Sequence, residues 1–280
     1  MYSLKKDNIE IQINESPLEI RSIKFKGKEV CYQQDGGGKK NGPFLFPVIG
    51  RLKDDKITYA GQDYPMPRHG FFRDIDSFEV EDKSEGLVTF VAKSNQKFQH
   101  LYPFEFTIKN QIEIVGDEVI VSYEVINDDE KDMIFSMGHH PAFISRKDAV
   151  LTFEKEENFT QIHDDKGLYV SKPTYEFKFK EVKLADLSFA GSECYFTQDV
   201  NSSGVKYEDS EVAFEISMDD YNSFILGSNS NEENFLCIEP MGGIPDPSDR
   251  PNTNLEEKPR MQTIKPQESY SCDFKIKFLK

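Results

Sequence analysis

Apolar and polar residues alternate with a period of two along much of this chain. Ile9-Glu-Ile11-Gln-Ile13, Phe104-Glu-Phe106-Thr-Ile108 and Ile112-Glu-Ile114 carry the pattern. So do Val119-Ile-Val121-Ser-Tyr123-Glu-Val125, Val212-Ala-Phe214-Glu-Ile216 and Cys272-Asp-Phe274-Lys-Ile276-Lys-Phe278. Successive strand side chains point to opposite sheet faces, so these segments predict strands with one buried and one wet face. Val115-Gly116-Asp117-Glu118-Val119 joins two of them as a hairpin signal. No long stretch shows the i, i+3, i+4, i+7 stripe of an amphipathic helix. The 17 Gly and 14 Pro are spread throughout and supply turns. The expectation is an all-β, mostly antiparallel protein, a large sandwich or barrel with few short helices. No repeat or low-complexity linker divides the 280 residues, so residues 1–280 are read as one domain.

Charge narrows the partners. A net charge of −16 argues against nucleic acid and anionic membrane, both of which need clustered cations. No apolar run approaches the roughly eighteen residues of a membrane span, and the first residues lack an apolar signal core. The four cysteines (31, 194, 237, 272) have neither CxxC nor zinc-like spacing. Reduced thiols in a cytoplasmic protein are the simplest reading, with Cys237 and Cys272 as core fillers. Monomer and homodimer are both compatible with the chain.

The chain has only five histidines, and two are adjacent, in Gly138-His139-His140-Pro141-Ala142-Phe143. The X-Pro bond pushes His140 toward extended backbone. Two adjacent extended residues face opposite ways, so only one of the pair can look into a given site. That weakens a metal reading, which favours His-x-His on one strand; no metal is expected. Serine chemistry lacks a G-x-S-x-G elbow. Cys237 lies in the apolar run Phe235-Leu-Cys-Ile238, which reads as a buried strand rather than a thiol site. Gly36-Gly37-Gly38 lacks the Gly-Lys-Ser/Thr ending of a phosphate loop. Acid–base chemistry by His and Glu is what remains. Three further segments supply candidates: Phe44–Leu52 with Arg51, Met66–Asp74 with Arg68, His69 and Arg73, and Phe235–Asp246 with Glu239.

Taken together and in order, these segments resemble the aldose 1-epimerase (galactose mutarotase) family, and within it the LacX-like branch. The resemblance runs from about residue 5 to the C-terminus. It rests on Leu-Phe-Pro-Val-Ile-Gly-Arg-Leu at 45–52, His-Gly-Phe-Phe-Arg-Asp at 69–74, His-Pro-Ala-Phe at 140–143 and Cys-Ile-Glu-Pro at 237–240. It implies a β-supersandwich with a sugar bound in an open cleft, and an isomerase that needs no cofactor. By this resemblance Glu239 is the general base at the C1 hydroxyl and His140 the general acid at the ring oxygen. His69 lies near both, and Arg51 binds sugar hydroxyls. Glu239 would be ionised and His140 cationic near pH 7. His139 falls on the other face, as a structural histidine bonded to backbone.

The chain also departs from the family. The family's acidic hydroxyl ligand has no direct counterpart here; Glu193 lies in the corresponding region, and Asp199 is the other option. Met241 stands where the branch often has Trp, so stacking on the sugar falls to Phe143 or Phe72. The family also includes hexose-6-phosphate enzymes, and Arg68 and Arg73 leave a phosphorylated sugar open beside a free aldose. A non-catalytic sugar-binding or sugar-sensing protein on the same fold is the alternative. It has no need of a paired acid and base.

Overall fold

The alternating segments form strands as expected. The computed structural model describes residues 1–15, 17–33, 42, 44–75, 78–161, 168–169, 176–189, 194–228 and 234–279. Gly36–Gly38 and Glu193 lie outside the described residues. Ile9, Ile11 and Ile13 are fully buried while Glu10 and Gln12 are exposed, the two-fold pattern of the sequence carried into space. Each such buried Ile or Phe contributes about 1.5–3 kcal/mol relative to an exposed one.

A four-stranded antiparallel sheet runs Tyr2–Lys6, Ile9–Glu15, Leu18–Phe25, Lys28–Glu29. It packs on a fifteen-stranded sheet through Phe25 stacked on Phe278 and Tyr2 edge-on to Phe90. The expected hairpin joins Phe106–Val115 to Glu118–Asn127 in continuous register. Ser269–Phe278 pairs with the second of these strands. Among the described residues there is one short α-helix, Gln96–Gln99, and four 3-10 turns. No helix there is long and apolar enough to cross a membrane. The architecture is an all-β, antiparallel sandwich.

One end of the large sheet positions the site. The strand order there is Phe44–Leu45, Gly138–His139, Phe235–Met241, Ser223–Gly227, Cys194–Thr197, Val150–Gln161. Ala142–Ile144 also pairs with Phe235–Met241.

Candidate active site

Strand register brings the two central residues together. Gly138 lies opposite Met241, and Ala142 opposite Cys237. His140, midway between, falls opposite Glu239. Residues directly opposite in an antiparallel pair share a sheet face, and His140 Nε2 lies 3.4 Å from Glu239 Oε1. The Glu239 side chain is 4% exposed and that of His140 30%, so the pair opens to solvent on the histidine side. His139 points into the core, where its ring stacks on Phe274 at 4.6 Å. Its Nε2 is buried without a hydrogen-bond partner among the described residues.

His69 reaches the pair from a tight loop. His69 and Gly70 have φ of 66° and 72°, in the left-handed region that suits glycine and strains histidine. A Cβ on Gly70 would come 2.0 Å from the Phe46 carbonyl oxygen, so only glycine permits this approach. The His69 N–H donates to the Gly50 carbonyl at 2.8 Å, and the Gly50 N–H faces His69 Nδ1 at 3.2 Å. The ring is thereby held edge-on to His140, with centroids 5.5 Å apart. Arg68 Nε–H faces the other ring nitrogen, Nε2, at 3.1 Å. Both nitrogens of His69 thus sit opposite N–H donors. A neutral imidazole has one accepting nitrogen and one N–H. One of the two contacts is therefore donor against donor.

Burial sets the protonation states. It pushes the Glu239 carboxyl up to about 8, against the Arg68 charge and a hydrogen bond from the Cys237 thiol. It lowers His140 to about 4; the Arg68 and Arg73 charges act in the same direction, and a hydrogen bond to its own backbone opposes them. Burial, with the charges of His140, Arg68 and Arg73, holds His69 well below the usual histidine range. The expectation of an ionised Glu239 and a cationic His140 is therefore reversed in the free site. Two charges in a low-dielectric pocket cost more than their attraction returns, so near neutral pH the pair's single proton rests on the carboxyl.

The remaining candidates divide. Arg73 is partly exposed, and its charge bears on His69 and His140. Arg51 forks onto Asp55 through Nε and Nη2, each at 2.9 Å. Its backbone is clamped instead: the carbonyl accepts from the Asp246 N–H at 3.1 Å. The Asp246 carboxylate is buried and takes Lys258 Nζ at 2.8 Å, Arg250 Nη1 at 2.7 Å and the Lys53 N–H at 3.0 Å. Phe143 and Phe72, the aromatics expected to stack on the sugar, both lie in the core. Phe143 is three residues from His140, hence on the core face, fully buried and packed on Phe214. Phe72 is buried against Phe44. The Asp199 carboxylate is exposed and paired with Arg260.

Sequence reasoning passed over Cys237 as core filler and weighed Arg68 only as a phosphate contact. Strand parity marks the first, since Cys237 and Glu239 are two residues apart. Nothing in the sequence signals that Arg68 bears on Glu239 and both site histidines. Among the described residues, His140, Cys237 and Glu239 have ligand atoms within 4.8 Å of one another, compact enough for a cation. A cation there would require the Cys237 thiolate.

The model of the aldose 1-epimerase family matches residues 1–276. The chain is 27% identical over 296 residues to the chromosomal Protein LacX of Lactococcus lactis, covering 99% of this chain and 98% of that protein. The plasmid LacX of the same organism is 26% identical with the same coverage. A galactose mutarotase related enzyme from Lactobacillus acidophilus superposes with a TM-score of 0.90 at 24% identity, covering 100% of this chain and 97% of that one. A galactose mutarotase-like protein from Lactobacillus casei gives 0.90 and 24%, with both chains covered completely. A family match over nearly the whole length, on a fold shared end to end with these structures, makes this chain a member of the aldose 1-epimerase family, with LacX proteins among its relatives.

Proposed function

We propose that the protein is an aldose 1-epimerase that interconverts the α and β anomers of a free aldohexose. The observation that carries this reading is the His140–Glu239 pair, 3.4 Å apart, with the histidine side chain partly exposed and the carboxylate buried behind it. The hydroxyl oxygen and the ring oxygen of a cyclic aldose are both bonded to C1. An acid and a base serving them must therefore be close neighbours.

In the proposed reaction Glu239 takes the proton from the C1 hydroxyl while His140 gives one to the ring oxygen. The C1–O5 bond breaks and an aldehyde forms. Rotation about C1–C2 presents the other carbonyl face, and reclosure with the roles reversed returns both protons. Ring opening starts from the ion pair and ends with both side chains neutral. Burial that disfavours the ion pair thus makes it a stronger acid and a stronger base when it forms. Each such group is typically worth about 10²–10⁴-fold in rate. His69 and Arg68 supply hydrogen-bond donors to sugar oxygens.

Arg68 favours a second reading of the substrate. Arg68 is an exposed residue and, among the described residues, its guanidinium contacts His69 without a carboxylate partner. A sugar bearing a phosphate would give it one. Exchange between anomers, followed by NMR for glucose, galactose and their 6-phosphates, tests both readings.

A further inference from the structure

We propose that Cys237 is a positioning residue that orients the Glu239 carboxylate and tunes its hold on the proton. The proposal rests on the reading of Glu239 as the base. Cys237 and Glu239 are two residues apart on the strand Phe235–Met241, so they share a sheet face. Both are buried, at 1% and 3% exposure. The ladder that places Ala142 opposite Cys237 also sets His140 opposite Glu239. The Cys237 thiol, a Glu239 carboxylate oxygen and a His140 ring nitrogen are mutually within 4.8 Å.

Hydrogen-bond accounting points to the thiol. An ionised carboxylate offers about four acceptor sites. Among the described residues, no backbone N–H, hydroxyl, amide or ammonium group donates to Glu239. Its close polar neighbours are the His140 ring, at 3.4 Å, and the Cys237 thiol, a donor group within 4.8 Å of it. A flexible buried carboxylate held from one side alone could swing away from His140. The thiol supplies the second hold.

The choice of sulfur has a chemical consequence. A thiol is a weak donor and otherwise behaves as a small apolar group. It therefore orients the carboxylate without stabilising the anion as strongly as a hydroxyl would. Serine at this place would lower the proton affinity of Glu239, and alanine would raise it. Opposite shifts from two small substitutions are a signature that a merely space-filling role would not give.

The test is a ¹³C NMR titration of the Glu239 side-chain carboxyl, identified by its loss in Glu239→Gln, in the full-length wild type, Cys237→Ser and Cys237→Ala. The kcat/KM pH profile for anomer exchange is measured on the same proteins. The expected midpoint moves down in Cys237→Ser and up in Cys237→Ala, each by about half to one pH unit, the size of one neutral hydrogen bond. The alkaline limb of the rate profile follows. Cys237→Ser is nearly isosteric, so it alone decides the matter if the alanine variant fails to fold. Unchanged midpoints with anomer exchange intact overturn the role of Cys237 and leave the proposed function standing. Shifted midpoints without any exchange in the wild type support the thiol contact and overturn the proposed function.

Discussion

His139 and His140 stand on opposite faces of the same sheet: the first ring stacks on Phe274 in the core, the second meets Glu239 at 3.4 Å on a side open to solvent. Two residues that look like one unit in the sequence therefore have separate consequences. His140→Asn and Glu239→Gln should each lower kcat/KM for anomer exchange by at least about 100-fold. Far-UV circular dichroism should be unchanged in both. His139→Asn should affect stability first, with activity per folded molecule within a few-fold of wild type. Full activity in His140→Asn together with loss in His139→Asn would reverse the assignment.

The rate should depend on pH as a bell. The pair works when it carries one proton in total. Above about 8, where Glu239 loses its proton, the base remains and the acid is missing. Below about 4, where His140 gains one, the acid remains and the base is missing. A kcat/KM profile across this range should be flat in the middle and fall on both sides.

Arg68 opposes protonation of both Glu239 and His140. Arg68→Gln should therefore move both limbs of the bell toward higher pH. If the substrate carries a phosphate, the same variant should raise KM for the hexose phosphate far more than for the neutral sugar. An equal effect on both sugars would count against an anionic substrate.

His139 gives a stability signature separate from activity. Burial lowers it to about 3, against an ordinary value of 6.5. The unfolded chain takes up a proton near 6.5 and the folded one does not. Stability is therefore intact above 6.5 and falls with decreasing pH toward 3, by about 1.4 kcal/mol per unit for this group. His139→Phe removes the titrating group and the unpartnered Nε2. Urea unfolding at pH 7 and pH 5 should show a smaller loss in the variant than in the wild type, by roughly 2 kcal/mol. An equal loss in both would show that His139 titrates normally.

Much of this was legible in the sequence, and the reasons are local. Period-two alternation located Ile9–Ile13, Phe106–Ile108 and Phe274–Phe278, because a half-buried strand imposes that spacing. Parity separated His139 from His140, and applied once more it would have sent Phe143 to the core. The rest was tertiary. Whether Arg51 forks onto Asp55, or Gly70 packs on the Phe46 carbonyl, depends on loops whose approach no local pattern encodes. The reversed protonation of His140 and Glu239 follows from burial, which appears only when the strands are assembled.

The most direct measurement is the exchange rate between α and β anomers by NMR, with the wild type and Glu239→Gln at pH 7, over glucose, galactose and their 6-phosphates. The expected result is acceleration of at least one sugar by the wild type, reduced to near the spontaneous rate in Glu239→Gln. No acceleration of any sugar, or an equal rate in the two proteins, would contradict catalysis by the His140–Glu239 pair.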